Sequence, residues 1–158
     1  MDTKNLLNEF YSAFRARDAA GMARCYHPEV EFSDPVFTNL KGHEVGAMWH
    51  MLISRGKETK ISFKNIQADD KTGSCEWEAV YPYGPKRRLV HNVVSSKFEF
   101  RDGKIIRQRD SFDLWKWLGM ALGPAGSLLG WTGFLKAKVR NFAAQGLRDF
   151  MKANPQAR

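Results

Sequence analysis

The sequence predicts an α+β fold: a cone-shaped, curved, mostly antiparallel sheet wrapped around N-terminal helices, with a helical extension at the C-terminus. Three observations predict it. Residues 3–54 carry three segments of helical apolar spacing around one short strand-like run. Residues 60–112 form four runs of alternating apolar and polar side chains. Those runs are joined by short turns, which favour an antiparallel meander with the helices set to one side. Residues 113–151 return to helical spacing.

Taken in order, Leu6, Leu7, Phe10 and Phe14 mark an amphipathic helix over residues 3–17. Arg17-Asp18 breaks it, and Asp18 is a good N-cap for a short helix over Ala19–Tyr26, which His27-Pro28 ends. Residues 30–37 read as a strand with Val30, Phe32 and Asp34 on one face. Lys41-Gly42 precedes a third helix, from His43 to about Ser54, with Val45, Met48, Trp49 and Leu52 as its apolar stripe. The strand over residues 60–68 sets Ile61, Phe63 and Asn65 against Ser62, Lys64 and Ile66. Residues 74–83 set Cys75, Trp77, Ala79, Tyr81 and Tyr83 against Glu76, Glu78 and Val80, the clearest half-buried alternation in the chain. Residues 89–101 place Val90, Asn92, Val94, Ser96, Phe98 and Phe100 on one face. Asp102-Gly103 is a strong hairpin signal, and Ile105–Phe112 follows with Gln108, Asp110 and Phe112 together. Asp113 is placed to cap a helix that starts at Leu114. A Gly/Pro-rich bend, Gly119–Gly133, leads to a last amphipathic helix, Phe134–Met151. Residues 1–114 are read as the folded domain, and 115–158 as an extension packed on it or on a partner subunit.

A chain of 158 residues with 43% hydrophobic and 13% aromatic residues builds a real core. The net charge of +8 raises the question of nucleic acid. Its cations are scattered, however, with no nucleic-acid motif or aromatic-basic interleaving, so nucleic acid is not an expected partner. Cys25 and Cys75 lie among apolar residues without metal-ligand spacing and read as small buried hydrophobes. The first residues are polar, and the longest apolar stretch, Leu118–Leu135, is broken by glycines and Pro124. The expectation is a cytoplasmic protein with no membrane partner.

The chemistry centres on Asp34. A carboxyl that shares a face with Val30 and Phe32 points into apolar space, which raises its pKa and makes it a usable base near neutral pH. Asp-Pro is also a common turn opener, so Asp34 has a second reading as a turn cap. Asp110 would enter the same space from another strand, or pair with Arg107 or Arg109. His43, His50 and His91 have no evident catalytic partner.

Several pieces, in this order, resemble the nuclear transport factor 2-like superfamily, which includes ketosteroid isomerases, SnoaL-like polyketide cyclases and limonene epoxide hydrolases. They are Arg17-Asp18-Ala19-Ala20-Gly21-Met22 with Cys25-Tyr26-His27-Pro28, then Val30–Val36, Leu40–Glu44, and Phe98–Ile105 leading into Arg109–Asp113. The resemblance covers roughly residues 3–114, and the tail resembles that of a bacterial SnoaL-like subgroup. It implies a homodimer with a deep apolar pocket for a hydrophobic small molecule, without cofactor or metal. Asp34 sits at the isomerase base position, and Asp110 near the acid/base aspartate of the cyclases. The isomerase's two oxyanion donors fall on Phe10 and Ser96, with Tyr11 one helical step, about 100°, away. Steroid isomerisation is therefore not expected. Epoxide hydrolysis is a weaker reading still, because its Arg-x-Asp spacing is missing. The pocket is expected to be lined by Phe10, Phe14, Phe32 and Trp49, with Asn92, Ser96 and Phe112 deeper along the sheet. Trp77 and Tyr81 complete the wall, or else form a dimer interface if their face is the outer one. The competing reading of the whole is a non-catalytic ligand-binding or dimerisation module.

Overall fold

The computed structural model describes residues 2–157. Helices α1 (Thr3–Arg15) and α2 (Ala19–Arg24) are followed by β1 (Tyr26–Ser33), β2 (Leu40–Lys41) and α3 (His43–Arg55). Strands β3 (Lys60–Ala68), β4 (Thr72–Tyr83), β5 (Arg88–Arg101) and β6 (Lys104–Ser111) come next, then α4 (Leu114–Leu122), α5 (Pro124–Leu129) and α6 (Gly133–Ala153). The strands form one sheet in the order β2-β1-β6-β5-β4-β3. All neighbouring pairs are antiparallel except β1 and β6. The order is open, with β2 and β3 as edges, so the sheet does not close on itself.

Local chemistry explains most boundaries. Asp2, Asp18 and Asp113 cap α1, α2 and α4 by accepting the backbone N–H of Asn5, Gly21 and Lys116. Arg17 takes a left-handed φ of 62° to end α1. Its guanidinium donates to the carbonyls of Gly56 and Thr59, which ties that turn to the end of α3. Asp102 and Gly103 both have positive φ, the backbone a two-residue hairpin needs.

Three expectations need correction. The strand expected over residues 30–37 starts at Tyr26 and stops at Ser33. Pro28 is tolerated because the pairing with β6 shifts register between Tyr26 and Glu31, so no ladder N–H is demanded of it. A similar shift in β3, at Asn65 with φ 57°, turns Ile66 toward the core from the face the alternation gave it. The Gly/Pro-rich bend contains the short helix α5, with Pro124 in its first turn.

The core lies between α1, α3 and the inner face of the sheet. Leu7, Phe10, Tyr11 and Phe14 of α1 and Val45, Met48 and Trp49 of α3 meet Trp77, Val94 and Phe98. The extension packs back on this body. Leu147 of α6 is buried in the core, Phe150 meets the His50 ring of α3, and Arg88 at the start of β5 donates to the Met120 carbonyl in α4.

Gly126 holds α5 against α4. A Cβ there would overlap the carbonyl oxygen of Leu118 at 1.9 Å. Overpacking of this kind costs about 1–3 kcal/mol. In Gly126→Ala, amide exchange across α5 is expected to rise about tenfold or more while β4 and β5 keep their protection. Unchanged exchange in α5 would show that this contact does not hold the segment.

Candidate functional site

The site is built where β1, β4, β5 and β6 face α1 and α3. Antiparallel register sets Asp110 of β6 opposite Ser96 of β5, and Gln108 opposite Phe98. The parallel neighbour β1 brings Tyr26 within reach of Gln108, and Trp49 arrives from α3. A continuous hydrogen-bonded chain results. Trp49 Nε1 donates to Tyr26 Oη at 2.7 Å, and Tyr26 Oη donates to Gln108 Oε1 at 2.5 Å. Gln108 Nε2 then donates to Asp110 Oδ1 at 3.0 Å. From the other side, Trp77 Nε1 donates to Ser96 Oγ at 2.9 Å, and Ser96 Oγ donates to the same Asp110 Oδ1 at 2.6 Å.

Indole N–H groups can only donate, so they fix the direction of both arms. Both converge on Asp110 Oδ1, leaving Oδ2 without a hydrogen bond among the described residues. A proton on this carboxyl therefore belongs on Oδ2. Asp110 is buried, and burial pushes its pKa up to about 7, against the pull of Ser96 and Gln108. The Asp34 charge raises it further, which places the two acids within electrostatic reach of each other.

Asp34 lies just past β1. Its Oδ1 accepts the backbone N–H of Val36 at 2.7 Å and of Phe37 at 2.6 Å, and its own N–H donates to the Phe37 carbonyl. This is an Asx turn closed over Pro35. Burial nevertheless pushes the Asp34 pKa up to about 6, more than the two amide donors lower it. The turn cap and the buried acid are thus the same residue. The extension reaches the neighbours of Asp34. Arg140 of α6 donates to the Pro35 carbonyl at 2.9 Å, and Trp117 of α4 donates to Tyr81 Oη at 2.8 Å. Tyr81 itself lies close enough to Asp34 for that charge to raise its pKa, after the larger effect of burial.

Among the residues expected to line a pocket, Phe10, Phe14, Phe32 and Trp77 all pack on the Trp49 ring, at centroid distances of 6.2, 4.9, 5.7 and 6.3 Å. Trp77 is on the inner face of the sheet, and Tyr81 shares its strand face. Asn92 and Phe112 are half-buried, and Asn92 makes no side-chain hydrogen bond among the described residues. A cleft of about 820 Å³ lies between β5 and α4, and a cavity of about 400 Å³ is lined by Phe32, Ser33 and Gln108 together with Arg107 and Arg109; neither is lined by Asp34 or Asp110.

Arg107 pairs with Glu31 and Glu99, and His91 with Glu78. Both Cys25 and Cys75 have their pKa pushed up to about 11 by burial, as inert thiols do. Among the described residues, no three His, Cys, Asp or Glu side chains converge as metal ligands would.

Sequence reasoning missed Tyr26 and Gln108 and placed Tyr11 wrongly. Tyr11 is fully buried, and its hydroxyl is the one buried side-chain polar atom without a partner among the described residues. Burial raises its pKa well above normal, and Asp110, Cys75 and Ser96 are near enough to act on it. The signal was present, since residues 7, 10, 11 and 14 make a broad helical stripe that takes in Tyr11.

The model of the SnoaL-like domain matches residues 7–108. The chain belongs to the SnoaL-like family. Within the nuclear transport factor 2-like superfamily it is similar in structure to a candidate polyketide cyclase from Silicibacter sp. TM1040, with TM-score 0.62, 19% identity, and 77% of this chain and 96% of that one covered. It is also similar to an LEH-like epoxide hydrolase of M. tuberculosis, with TM-score 0.60, 20% identity, and coverage of 81% and 95%. TerC, co-crystallized with polyporic acid, matches with TM-score 0.59 and 19% identity over 69% of this chain and 89% of its own. At these identities the likeness concerns the fold. No curated protein matches the chain by sequence. The SnoaL-like match ends within β6, so the helices that reach Pro35 and Tyr81 lie outside the matched residues.

Both carboxyls hold their proton more tightly folded than unfolded. The stability this contributes is full below about pH 4 and is lost as pH rises through about 6 and 7. For Asp110, the span from 3.8 to about 7 corresponds to on the order of 4 kcal/mol. Urea denaturation is expected to show this loss in the wild-type chain between pH 4 and pH 7, and a much flatter profile in Asp110→Asn. Parallel profiles would mean that Asp110 titrates normally.

Proposed function

We propose that this SnoaL-like protein binds a hydrophobic, polyketide-like carbonyl compound and catalyses proton transfer on it without a cofactor, as an isomerase or cyclase. The observation that carries the reading is the electrostatically linked pair of carboxyls, Asp110 buried and Asp34 half-buried, each held through Oδ1, with no hydrogen bond to Oδ2 among the described residues. No cation contributes to the titration of either acid.

Both carboxyls are shifted up toward neutral pH by burial, and the two amide donors that reach Asp34 favour its ionised form, so Asp34 serves as the base. It takes a proton from the carbon next to a carbonyl, and the electron pair moves to the carbonyl oxygen. Asp110 holds its proton on Oδ2 and gives it to the oxygen or carbon that becomes basic as the reaction proceeds. The unpartnered Tyr11 hydroxyl is available to donate to an enolate oxygen. The aromatic packing around Trp49 supports an apolar ligand, which would displace or part these rings. Homodimerisation remains an expectation from the family resemblance, and a cytoplasmic location one from the polar first residues and the interrupted apolar stretch.

The test is deuterium exchange at the activated carbon of hydrophobic 1,3-dicarbonyl compounds in heavy water. Exchange above buffer is expected, with a bell-shaped profile whose limbs lie near pH 6 and pH 7. Asp34→Asn should lower it by about 10²-fold or more. Tight binding without exchange would support the reading as a non-catalytic ligand-binding module, and exchange unaffected by Asp34→Asn would remove Asp34 from the mechanism.

A further inference from the structure

The extension has an outer face that the site does not use. Leu128, Leu129, Trp131 and Phe134, at the junction of α5 and α6, are 71, 54, 62 and 80% exposed. Phe142, two turns further along α6, is 77% exposed. The inner side of α6 is already occupied, because Leu147 is buried and Arg140 reaches Pro35. Next to α5, Lys86, Arg88 and Lys116 line the cleft of about 820 Å³ together with Leu89, Trp115 and Ser127. Trp115 donates to the Ser127 carbonyl, which joins the cleft to the apolar junction.

The segment that carries this face is basic. Between Asp113 and Asp149 the sequence contains no acid and five cations: Lys116, Lys136, Lys138, Arg140 and Arg148. Among the described residues none of these, nor Lys86 or Arg88, has a carboxylate within ion-pair distance. A second copy docking through the same patch about a two-fold axis would set these cations against themselves. Nucleic acid would find cations here, but the outermost groups are leucines and a phenylalanine rather than a stacking groove. Exposed Trp, Phe and Leu beside unpaired Lys and Arg, on short helices lying along the body, match an anionic lipid surface.

We propose that the α5–α6 junction docks on an anionic membrane surface, with Leu128, Leu129, Trp131 and Phe134 entering the boundary between headgroups and acyl chains. Lys138, exposed on the side of α6 that carries Phe134 and Phe142, faces lipid phosphates, and the cleft between Lys86, Arg88 and Lys116 seats a headgroup. Among the described residues no helix is long and apolar enough to cross a membrane, and the contact proposed is a superficial one. It departs from the absence of a membrane partner expected from the sequence.

The experiment is co-sedimentation of the full chain with vesicles of phosphatidylcholine, or of equal parts phosphatidylcholine and phosphatidylglycerol. Binding to the anionic vesicles is expected, with much less on phosphatidylcholine alone and a steep loss on adding salt. The double variant Trp131→Ser, Phe134→Ser should bind about tenfold or more weakly, and Lys116→Gln, Lys138→Gln should lose the preference for anionic lipid. These side chains are exposed, so circular dichroism should remain that of the wild type. The proposal is overturned by failure to bind anionic vesicles, or by binding that the Trp131/Phe134 variant leaves unchanged. It is also overturned by light scattering that shows a dimer which that variant dissociates.

Discussion

The convergence of two indole-headed hydrogen-bond arms on one oxygen of Asp110 is the constraint the rest of the fold serves. Each member of that chain is buried, so an unmade bond would cost the desolvation of a polar group. Every element must therefore arrive in register. Ser96 has to stand opposite Asp110, which fixes the pairing of β5 with β6. Trp77 has to sit one strand further, beside Val94, to reach Ser96. Tyr26 has to lie against Gln108, and that places β1 parallel to β6 where the other neighbours are antiparallel. Trp49 fixes the rotation of α3 on the sheet. An apolar core of the same volume would tolerate small slips of any of these elements, whereas a directed polar chain does not.

Much of this was legible in the sequence. The strict alternation in β4 and β5 set the inner face correctly from Val90 to Phe98, and the capping aspartates and Asp102-Gly103 marked helix starts and a hairpin. The signals that misled were those where one local rule met a stronger neighbour. His27-Pro28 reads as a helix terminator, and it does end the helical stretch, but a register shift also lets the proline stand inside β1. Asn65 passes for one more residue of an alternating strand, yet its positive φ inverts the pattern beyond it and brings Ile66 inward. Tyr11 was set aside because one helical step separates it from Phe10. A helix lying across a wide sheet buries a stripe broader than that step, so both rings are inside. Gln108 carried no signal of its own: a glutamine on a strand reveals its role only when the strand beside it is known.

Asp34 shows why two competing readings of a motif need not exclude each other. Asp-Pro closes an Asx turn with one carboxylate oxygen, and that turn is what holds the other oxygen away from the backbone. The amide donors favour the ionised form, burial disfavours it, and burial wins. A carboxyl with this balance ionises within reach of neutral pH, where an exposed turn cap would already be ionised well below it. The same local geometry therefore serves the fold and readies the acid, and the environment decides how far the second use goes.

That environment is partly supplied from outside the SnoaL-like match. Arg140 draws α6 onto the Pro35 carbonyl and Trp117 draws α4 onto Tyr81, so the extension covers the end of the sheet where Asp34 lies. Stripped of α4 and α6, the Asp34 turn would be better solvated, and the burial that raises its pKa would weaken. The extension thus has two faces with different solvents: an inner one that keeps water from the acid, and an outer one that is apolar and basic. If the outer face rests on lipid, as proposed, an apolar molecule leaving the bilayer would meet α5 and α6 first. Displacement of the contacts at Pro35 and Tyr81 would then open the interior and resolvate Asp34 in one movement.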